Sequence, residues 1–434
     1  MSATLLGVIG IAVFLILIFM GMNIGLALLL VGAAGYAMIV NPAAAIGLLR
    51  KVPATQAGTY TFIVIVLFIM MGNFAYQAGL SSALYKAANK WLSRLPGNLA
   101  CGTIAASAGF GAICGSCAAT CATMGAIALP EMRKYKYADM LSTGTVAMGG
   151  TLGILIPPST PMIIYCIMAE TSIGKMFAAG VLPGVVLAAL CVITVVIMVK
   201  LKPSMAPPPS KCAWRERFAS LKGLAGVVVL FGAVLGGMFS GFFSVNQSAA
   251  VGAFLAIVLT AINGKLNWKS FTEAMRNTVT TFSMTFLILI GASVFCNFLA
   301  ITKIPFKLAD LIASMHVSFG VVLIMMTLVY IVLGMLMDEL PMIILTVPIF
   351  LPIVQNYGVD PIWFGIYVIL VMELGAIAPP VGLNCFIIHG IAKDIPMGVI
   401  YRGALPFVAT ILAGVALIYF FPQIVLILPG MMGG

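Results

Sequence analysis

Two apolar segments carry the same pattern, a glycine followed four residues later by two prolines: Gly153 with Pro157-Pro158, and Gly375 with Pro379-Pro380. A proline has no amide hydrogen and its ring clashes with the preceding turn, so a proline pair leaves helix carbonyls without donors. Such carbonyls cannot face lipid, but they can bind a cation such as Na⁺. The half-helix that starts after the break presents its positive end, which favours an anion. The pattern therefore offers cation and anion binding at two helix breaks.

The two halves of the chain align at an offset of 222 residues, at which the glycine and both prolines coincide, as do Pro130 and Pro352. By the count of apolar runs each half has an odd number of crossings, so the second copy is inverted in the membrane. Inverted repeats with paired interrupted helices are typical of secondary transporters whose site lies near the bilayer midplane. Alternatively, a proline pair only kinks a packed helix, and this would explain one copy. Two copies that recur in the same order in both repeats favour a binding site.

Composition defines the surroundings of these breaks. Of the 434 residues 62% are hydrophobic and 8% are charged, and the mean hydropathy is +1.19. A soluble domain carries about 25% charged residues, so we predict an all-α polytopic membrane protein. With about 20 residues per span, the length predicts about ten to twelve crossings. The net charge of +11 does not indicate nucleic-acid binding, because the basic residues lie at the ends of spans.

The segments next to each proline break predict two re-entrant helical hairpins. The stretch 97–130 is apolar and rich in small residues, and a break near Gly109–Ser116 leaves two pieces too short to cross alone. A second broken apolar stretch covers 317–356. Amphipathic helices are expected at 80–95 and 303–315, on the membrane surface.

A domain organisation follows from these features. We predict a first inverted repeat at 1–199 (scaffold spans 1–96, transport unit about 97–175), a basic linker at 200–222, and a second repeat at 223–434 (scaffold spans 223–315, transport unit about 316–395, final span 397–429). If the linker is cytoplasmic, the loops on its side hold 17 Lys or Arg and the opposite loops hold five. Cytoplasmic loops carry the excess of basic residues, so the count supports this orientation.

Four motifs together carry a family resemblance: the hairpin 111–132, GTLGILIPPS at 150–159, the segment from Gly334 to Asp338, and GAIAPPVG at 375–382. With them the chain resembles the large membrane (M) subunit of the tripartite ATP-independent periplasmic (TRAP) transporters, over essentially its whole length. The resemblance implies a Na⁺-driven elevator importer of a small organic anion, a carboxylate or sulfonate, in the bacterial inner membrane. It also implies two partners, a small four-helix membrane subunit (Q type) and a periplasmic solute-binding protein (P type).

The same resemblance implies the site residues, each placed by motif. One sodium site would use Gly111, Gly153, Ile156 and Pro158, and the other would use Gly334, Gly375 and Ala378. Substrate binding or gating would involve Cys114, Gly115, Ser116, Ser159, Asp338, Pro379 and Pro380. The first hairpin departs from the family pattern, since family members commonly show Ser-Gly-Ser-Ser followed by Asp where this chain reads Cys-Gly-Ser-Cys-Ala at 114–118. This departure argues against assuming a sialic acid substrate.

Several side chains allow a second interpretation. Cys114, Cys117 and Cys121 have a spacing that could suit a metal, but they lack a fourth Cys or His nearby, so packing of small residues is favoured. Asp338 is expected to shape the second site or to cap the following half-helix. Glu373 is expected near the site or paired with a scaffold cation. The isolated His316 and His389 are expected to pack with satisfied rings.

Two other functions stay open at this stage. A receptor-independent Na⁺/dicarboxylate or ion carrier of the same superfamily would need no partner subunits. An intramembrane hydrolase would use Ser116 as its nucleophile, but neither histidine has a recognisable partner motif. A secondary transporter without enzyme activity is therefore the leading hypothesis.

Overall fold

The computed structural model describes residues 2–209, 212–314, 317–335 and 337–432, so His316 and Leu336 lie outside the described residues. Within these ranges all regular structure is helical and no β-strand occurs. The all-α prediction is confirmed. Its physical cause is that a helix satisfies its backbone polar groups within its own segment, as a bilayer demands.

The first half of the chain is a series of helices joined by short turns. They are α1 Ala3–Phe19, α2 Ile24–Ile39, α3 Pro42–Ala57, α4 Thr61–Gln77, α5 Leu80–Trp91, α6 Asn98–Cys114, α7 Cys117–Lys134, α8 Asp139–Leu155, α9 Thr160–Ala169 and α10 Ile173–Leu201. Asn23 and Asn41 accept amide hydrogens at the starts of α2 and α3, which satisfies N–H groups that the first turn leaves free.

The second half is also a series of helices joined by short turns. Its helices are α11 Trp214–Leu221, α12 Ala225–Phe231, α13 Gly237–Phe239, α14 Val245–Ile262, α15 Trp268–Thr302, α16 Ile304–Ser314, α17 Phe319–Gly334, α18 Glu339–Asn356, α19 Pro361–Ile377, α20 Leu383–Ile391, α21 Met397–Phe420 and α22 Gln423–Met431. The first three, together with a π-helical turn at Gly232–Gly236, make one span, Trp214–Phe239.

Helix length limits the number of spans. Among the described residues six helices are long and apolar enough to cross a membrane, or eight if the bent pairs α3–α4 and α8–α9 each count as one. This is fewer than the ten to twelve crossings predicted from chain length. The reason is that α1, α2, α6, α17 and α19 are apolar but have only 16 or 17 residues, short of the roughly 20 that a span needs.

Two connections differ from the sequence-based expectation, and a third segment forms an additional helix. This segment is α3, which has Pro42 in its first turn, where proline is tolerated. The predicted linker is partly helical, since α10 extends to Leu201 and α11 already begins at Trp214. The predicted final span is divided into α21 and α22, with Pro422 between them, because proline cannot continue a helix.

The two proline-broken helices lie at the centre of the molecule. Every residue of α8 from Leu141 to Leu155 is buried, and so is every residue of α19 from Trp363 to Gly375. α8 packs closely on α21, since a Cβ built on Gly144 would lie 2.1 Å from the carbonyl oxygen of Gly403. Small residues allow helices in membranes to approach this closely. The first break is thereby held inside protein, whereas Pro379, Pro380 and Val381 of the second break are exposed.

The order of elements is the same in both halves. An amphipathic helix (α5 or α16) precedes a helical hairpin (α6–α7 or α17–α18), then a proline-broken helix (α8–α9 or α19–α20), then a long span (α10 or α21). The halves differ before this point, because α15 runs unbroken for 35 residues where α3 and α4 are bent by 56°. The inverted orientation of the second copy stays a prediction.

Candidate ion and substrate site

The tip of the first hairpin is a two-residue turn between α6 and α7. Gly115 has φ +63° and its amide donates to the Gly111 carbonyl at 2.7 Å, a left-handed conformation that glycine adopts without a steric penalty. Ser116 then caps α7 by accepting from the Ala119 amide at 3.4 Å. These local rules explain why the sequence-predicted break lies here.

This tip packs directly onto the first proline break. A Cβ built on Gly111 would lie 2.3 Å from the Gly153 Cα, and one built on Gly115 would lie 2.8 Å from the Pro158 carbonyl oxygen. The Thr160 amide donates to the Gly115 carbonyl at 3.4 Å. Only glycine fits at such a backbone contact. The fold therefore brings the predicted first-site residues together.

The first break is surrounded by oxygen atoms that lack partners. In a helix the carbonyls of Gly153 and Ile154 would accept from residues 157 and 158, but both are prolines and have no amide hydrogen. The hydroxyls of Thr120 and Ser159 are buried without a hydrogen-bond partner, although the weakly bonding Cys114 thiol lies beside Thr120. A Cβ built on Gly153 would lie 2.7 Å from the Thr120 Oγ1. Unpaired buried oxygens of this kind indicate a place for an ion or a water.

Ile156 can contribute only its backbone to the predicted first sodium site. Its amide donates to the Leu152 carbonyl at 3.2 Å, which completes the last turn of α8. Its side chain points to α10, because a Cβ built on Gly184 would lie 2.5 Å from the Ile156 Cγ1. The group that Ile156 can offer to an ion is therefore its carbonyl oxygen.

The second hairpin meets the second break in the same way. A Cβ built on Gly334 would lie 2.7 Å from the Gly375 Cα, and a Cβ on Gly375 would lie 2.4 Å from the Gly334 Cα. The Ala378 amide donates to the Leu374 carbonyl at 2.8 Å. Pro379 and Pro380 leave the carbonyls of residues 375 and 376 without helical donors. The predicted second-site residues Gly334, Gly375 and Ala378 thus also lie together.

Tyr401 makes the two breaks chemically different, which sequence reasoning missed. Its hydroxyl donates to the carbonyls of Pro380 and Val381, the latter at 2.8 Å. These oxygens are partly satisfied by protein. Tyr401 lies on α21, a helix beyond the broken one, and no pattern in the sequence links the two positions.

The tip of the second hairpin and both broken helices line a small cavity. The cavity has room for about one water, roughly 10 Å³, and is lined by Ile154, Gly334, Met337, Asp338, Glu339, Met342, Met372, Ala376 and Leu383. Asp338 caps α18 by accepting from the Glu339 amide at 2.9 Å, as one of the two interpretations predicted. The half-buried Glu339 carboxylate lies within hydrogen-bonding range of the Cys117 amide at the start of α7. The acidic side chain of Glu339 thus already lies at the positive end of that helix.

Asn384 links the first hairpin to the half-helix after the second break, and sequence reasoning missed it too. Its side-chain amide donates to the Ala147 carbonyl at 2.8 Å, and its Oδ1 accepts from the Cys117 thiol at 3.2 Å. The Cys121 thiol donates to the Asn384 carbonyl at 3.7 Å. The cysteines therefore act as small packing and hydrogen-bonding groups, and the described residues contain no Cys, His, Asp and Glu cluster able to hold a metal.

Thr151 and Glu373 connect the two broken helices. The Thr151 hydroxyl donates to the Glu373 Oε2 at 3.2 Å, while Oε1 of this fully buried carboxyl has no partner. Glu373 therefore has Thr151 as its partner, and not a basic residue of the scaffold, which was one of the two expectations for it. The two residues are separated by 222 positions, the offset at which the halves of the sequence align.

Comparison with known proteins identifies the family. Residues 11–424 match the family described as "Tripartite ATP-independent periplasmic transporter, DctM component". The chain belongs to this family. It is therefore a transporter subunit and not an enzyme, and with its apolar helices it is a multi-pass inner-membrane protein.

Two curated relatives and one solved structure illustrate the similarity of this TRAP permease to known transporters. The "C4-dicarboxylate TRAP transporter large permease protein DctM" of Pseudomonas aeruginosa is 32% identical over 86% of this chain and 87% of the relative. The "Sialic acid TRAP transporter large permease protein SiaM" of Vibrio cholerae is 30% identical over 95% of this chain and 96% of the relative. The YdaH transporter of Alcanivorax borkumensis has the same fold, with a TM-score of 0.66, at 14% identity over 98% of this chain and all of that one.

The remaining predicted residues of the permease divide into two groups. Cys114, Gly115, Ser116 and Ser159 lie at the first tip and break, and Ser159 is buried without capping α9. His389 lies in the last turn of α20, with its Nδ1 bonded to the Ile395 carbonyl at 3.1 Å. That satisfied ring is what the sequence predicted.

Proposed function

We propose that this chain is the large transmembrane subunit of a sodium-coupled importer that carries a small organic anion, a carboxylate or sulfonate, by an elevator movement. The observation that supports sodium most directly is the set of unpaired oxygens at the first break. Carbonyl and hydroxyl oxygens without thiolate or imidazole suit a hard cation. Gly111, Gly153, Ile156 and Pro158 would hold one ion through their backbone, and Gly334, Gly375 and Ala378 would hold the second.

Ion binding would order the hairpin tips. The carbonyls without helical donors lie where a tip packs on a broken helix, and their like partial charges would repel one another. A cation removes this repulsion and links the tip to the break. Because the first tip also carries the start of α7, the same event would set the geometry of the anion site. This is a physical route by which Na⁺ raises substrate affinity.

The substrate would bind between the two tips. Both relatives named above transport carboxylates by their names, and the start of α7 offers amides and a positive dipole end to such a group. In this structure the Glu339 carboxylate faces that position. An arriving anion would compete with Glu339, and Asp338 would hold the second tip in place through its cap on α18.

Two partners complete the proposed importer. Membership of the TRAP family supports a small membrane subunit that widens the scaffold and a periplasmic solute-binding protein that delivers the substrate. The scaffold would stay fixed in the lipid bilayer while both hairpins and both broken helices move together. The contact between Thr151 and Glu373 joins the halves of this moving unit at its centre.

Uptake into proteoliposomes tests this proposal. The complex would be reconstituted with its small subunit and solute-binding protein, and labelled succinate and sialic acid would be offered with Na⁺ or with choline outside. We expect one of these anions to enter at least about tenfold faster with Na⁺, within the usual range of coupling. Equal uptake in choline would contradict sodium coupling, and full uptake without the solute-binding protein would favour the receptor-independent carrier.

A variant of the first site tests the position of the ion. Thr120→Val removes the unpaired hydroxyl beside Gly153 with little change in volume, and we expect it to raise the Na⁺ concentration for half-maximal uptake about tenfold, since one buried ligand oxygen is lost. Thr103→Val is the matched control, because the Thr103 hydroxyl bonds within its own helix to the Leu99 carbonyl at 2.8 Å. The same shift in both variants would contradict the site.

A further inference from the structure

A cluster of basic and aromatic side chains lies outside the transport site, where the amphipathic helix α5 packs against α11. It consists of Trp91, Arg94, Trp214, Arg217 and Phe218, and we call it the α5–α11 cluster. The Trp91 and Phe218 rings meet edge to face at 5.9 Å, and the Trp214 and Phe218 rings stack at 6.2 Å. These contacts position two arginines around one indole.

Arg217 is a buried cation without a counter-ion. Its side chain is only 5% exposed, its Nη2 donates to the Ser93 hydroxyl at 3.2 Å, and its Nε has no partner. Among the described residues the only ion pairs involve Arg133, so no carboxylate neutralises Arg217. The neighbouring Glu216 instead accepts from the Cys212 thiol at 3.3 Å. A buried unpaired charge is unfavourable, so this position calls for an anion.

A second cation makes the need for an anion stronger. The Arg217 guanidinium lies 4.9 Å from the centre of the Trp214 ring, and the Arg94 guanidinium lies 5.6 Å from the same ring. Cation–π contact stabilises each arginine but leaves two like charges on one indole. Guanidinium groups bind phosphate in a bidentate manner, so the chemistry selects a phosphate or phosphodiester.

The surroundings of the two arginines indicate where this phosphate comes from. Trp214 and Phe218 are 56% and 58% exposed, and Trp91 is 39% exposed. Exposed tryptophans are typical of the boundary between lipid and water, and basic side chains next to spans attract anionic lipids. A free phosphate ion would use the arginines but not the exposed rings, whereas a phospholipid would use both.

We propose that the α5–α11 cluster binds the phosphodiester headgroup of an anionic phospholipid. Arg217 and Arg94 hold the phosphate, and the exposed rings contact the glycerol and upper acyl chains. The site joins the amphipathic helix of the first scaffold half to the first span of the second half, so a bound lipid ties the scaffold at the membrane surface. This proposal does not depend on sodium coupling or on the identity of the transported anion.

Lipid titration of the purified permease tests this proposal. Thermal melting in detergent would be followed with added phosphatidylglycerol, phosphatidylcholine or inorganic phosphate. We expect phosphatidylglycerol to stabilise the protein at lower concentration than phosphatidylcholine, and inorganic phosphate to have little effect. Equal effects of the two lipids, or full stabilisation by inorganic phosphate, would overturn the lipid assignment.

Variants separate the cluster from general electrostatics. Arg217→Gln and Arg94→Gln should each weaken the effect of phosphatidylglycerol about fivefold, as expected for one basic side chain at an anionic surface. Arg215→Gln is the matched control, because Arg215 has the same charge on the same helix but is exposed and belongs to none of these contacts. If Arg217→Gln does not fold, the surface variant Arg94→Gln decides. An equal loss in Arg215→Gln, or no loss in Arg94→Gln, would overturn the proposal.

Discussion

At the scale of single residues, backbone contacts and unpaired oxygens define the site more than charged side chains do. Gly111 with Gly153 and Gly334 with Gly375 let each hairpin tip touch a broken helix. The carbonyls that the prolines leave without helical donors include those of Gly153 and Gly375, which make these contacts. Among the residues that line the cavity at the second tip, only Asp338 and Glu339 have ionisable side chains.

The glycine contact of the second site predicts the effect of a single methyl group. In Gly375→Ala the new Cβ would lie 2.4 Å from the Gly334 Cα, and backbone cannot move aside as a flexible side chain can. We expect uptake to fall at least about tenfold, as overpacking typically costs 1–3 kcal/mol. Gly390→Ala is the control, because nothing lies within 4 Å of its built Cβ. Similar uptake by both variants, with unchanged melting, would contradict the site.

Glu339 predicts a variant that improves apparent affinity. Glu339→Gln removes the carboxyl group that faces the start of α7, so a substrate anion meets less competition for the amides there. We expect the KM for the transported anion to fall about threefold or more, because an amide accepts hydrogen bonds more weakly than a carboxyl group that can ionise. The exposed Glu273 of α15 supplies a control in Glu273→Gln. A higher KM in Glu339→Gln would mean that Glu339 instead binds the substrate.

At the scale of elements, an ion pair holds the first hairpin to the second half of the chain. Arg133 at the end of α7 bonds to Asp394, in the turn between α20 and α21, and lies 3.7 Å from Asp139 at the start of α8. The Arg133 hydrogen bond lowers the pKa of the Asp394 carboxyl. Three elements of the proposed transport unit therefore meet at one exposed guanidinium.

The lowered pKa of Asp394 predicts an acid-dependent stability. Because the folded-state pKa lies below the unfolded one, the contribution is present above the unfolded pKa and is lost as the pH falls through the folded pKa. Thermal melting should drop more steeply between about pH 5 and pH 3 in the wild type than in Asp394→Asn. The effect is small because the pair is exposed. Asp310→Asn, at an exposed position of α16, should keep the wild-type dependence of the melting temperature on pH. If Asp394→Asn also keeps it, the effect does not come from the pair of Arg133 and Asp394.

At the scale of the whole molecule, the proposed scaffold touches the proposed transport unit at the first tip. A Cβ built on Gly72 of α4 would lie 3.1 Å from the Cys114 Cα, so scaffold and tip backbones are in direct contact. Beside them, Met71 and the span around the π-helical turn, at Leu230, Phe231 and Val234, line a small cavity with Ala112, Ile113 and Pro158. In an elevator this surface must slide.

A reversible cross-link tests whether this surface slides during transport. Gly72→Cys places a thiol next to the native Cys114, within the short separation that a disulfide requires. Oxidation should reduce uptake below about a tenth, and reduction should restore it, because a tethered transport unit cannot cross. In Gly72→Cys with Cys114→Ser the same oxidant should have no effect. Normal uptake after complete cross-linking would contradict the movement.

Much of the fold could be predicted because it depends on neighbours in the chain. Proline pairs end helices wherever they occur, and Gly115 marks a turn for which glycine is suited. The hairpin and break positions followed from these rules. The number of spans did not, since exact helix ends decide whether an apolar run of 16 or 17 residues crosses.

The sequence by itself determined the class of protein, the repeated order of broken elements and the carbonyls that lose their donors, because these follow from hydropathy and from the missing amide of proline. Only the tertiary structure decided which other oxygens near the breaks have partners: the Tyr401 hydroxyl donates to the Pro380 and Val381 carbonyls at the second break, while the Thr120 and Ser159 hydroxyls stay unpaired at the first. It also decided that Glu339 faces Cys117 and that Arg217 is buried without a counter-ion. These contacts join residues far apart in the chain, and packing, not local pattern, brings them together.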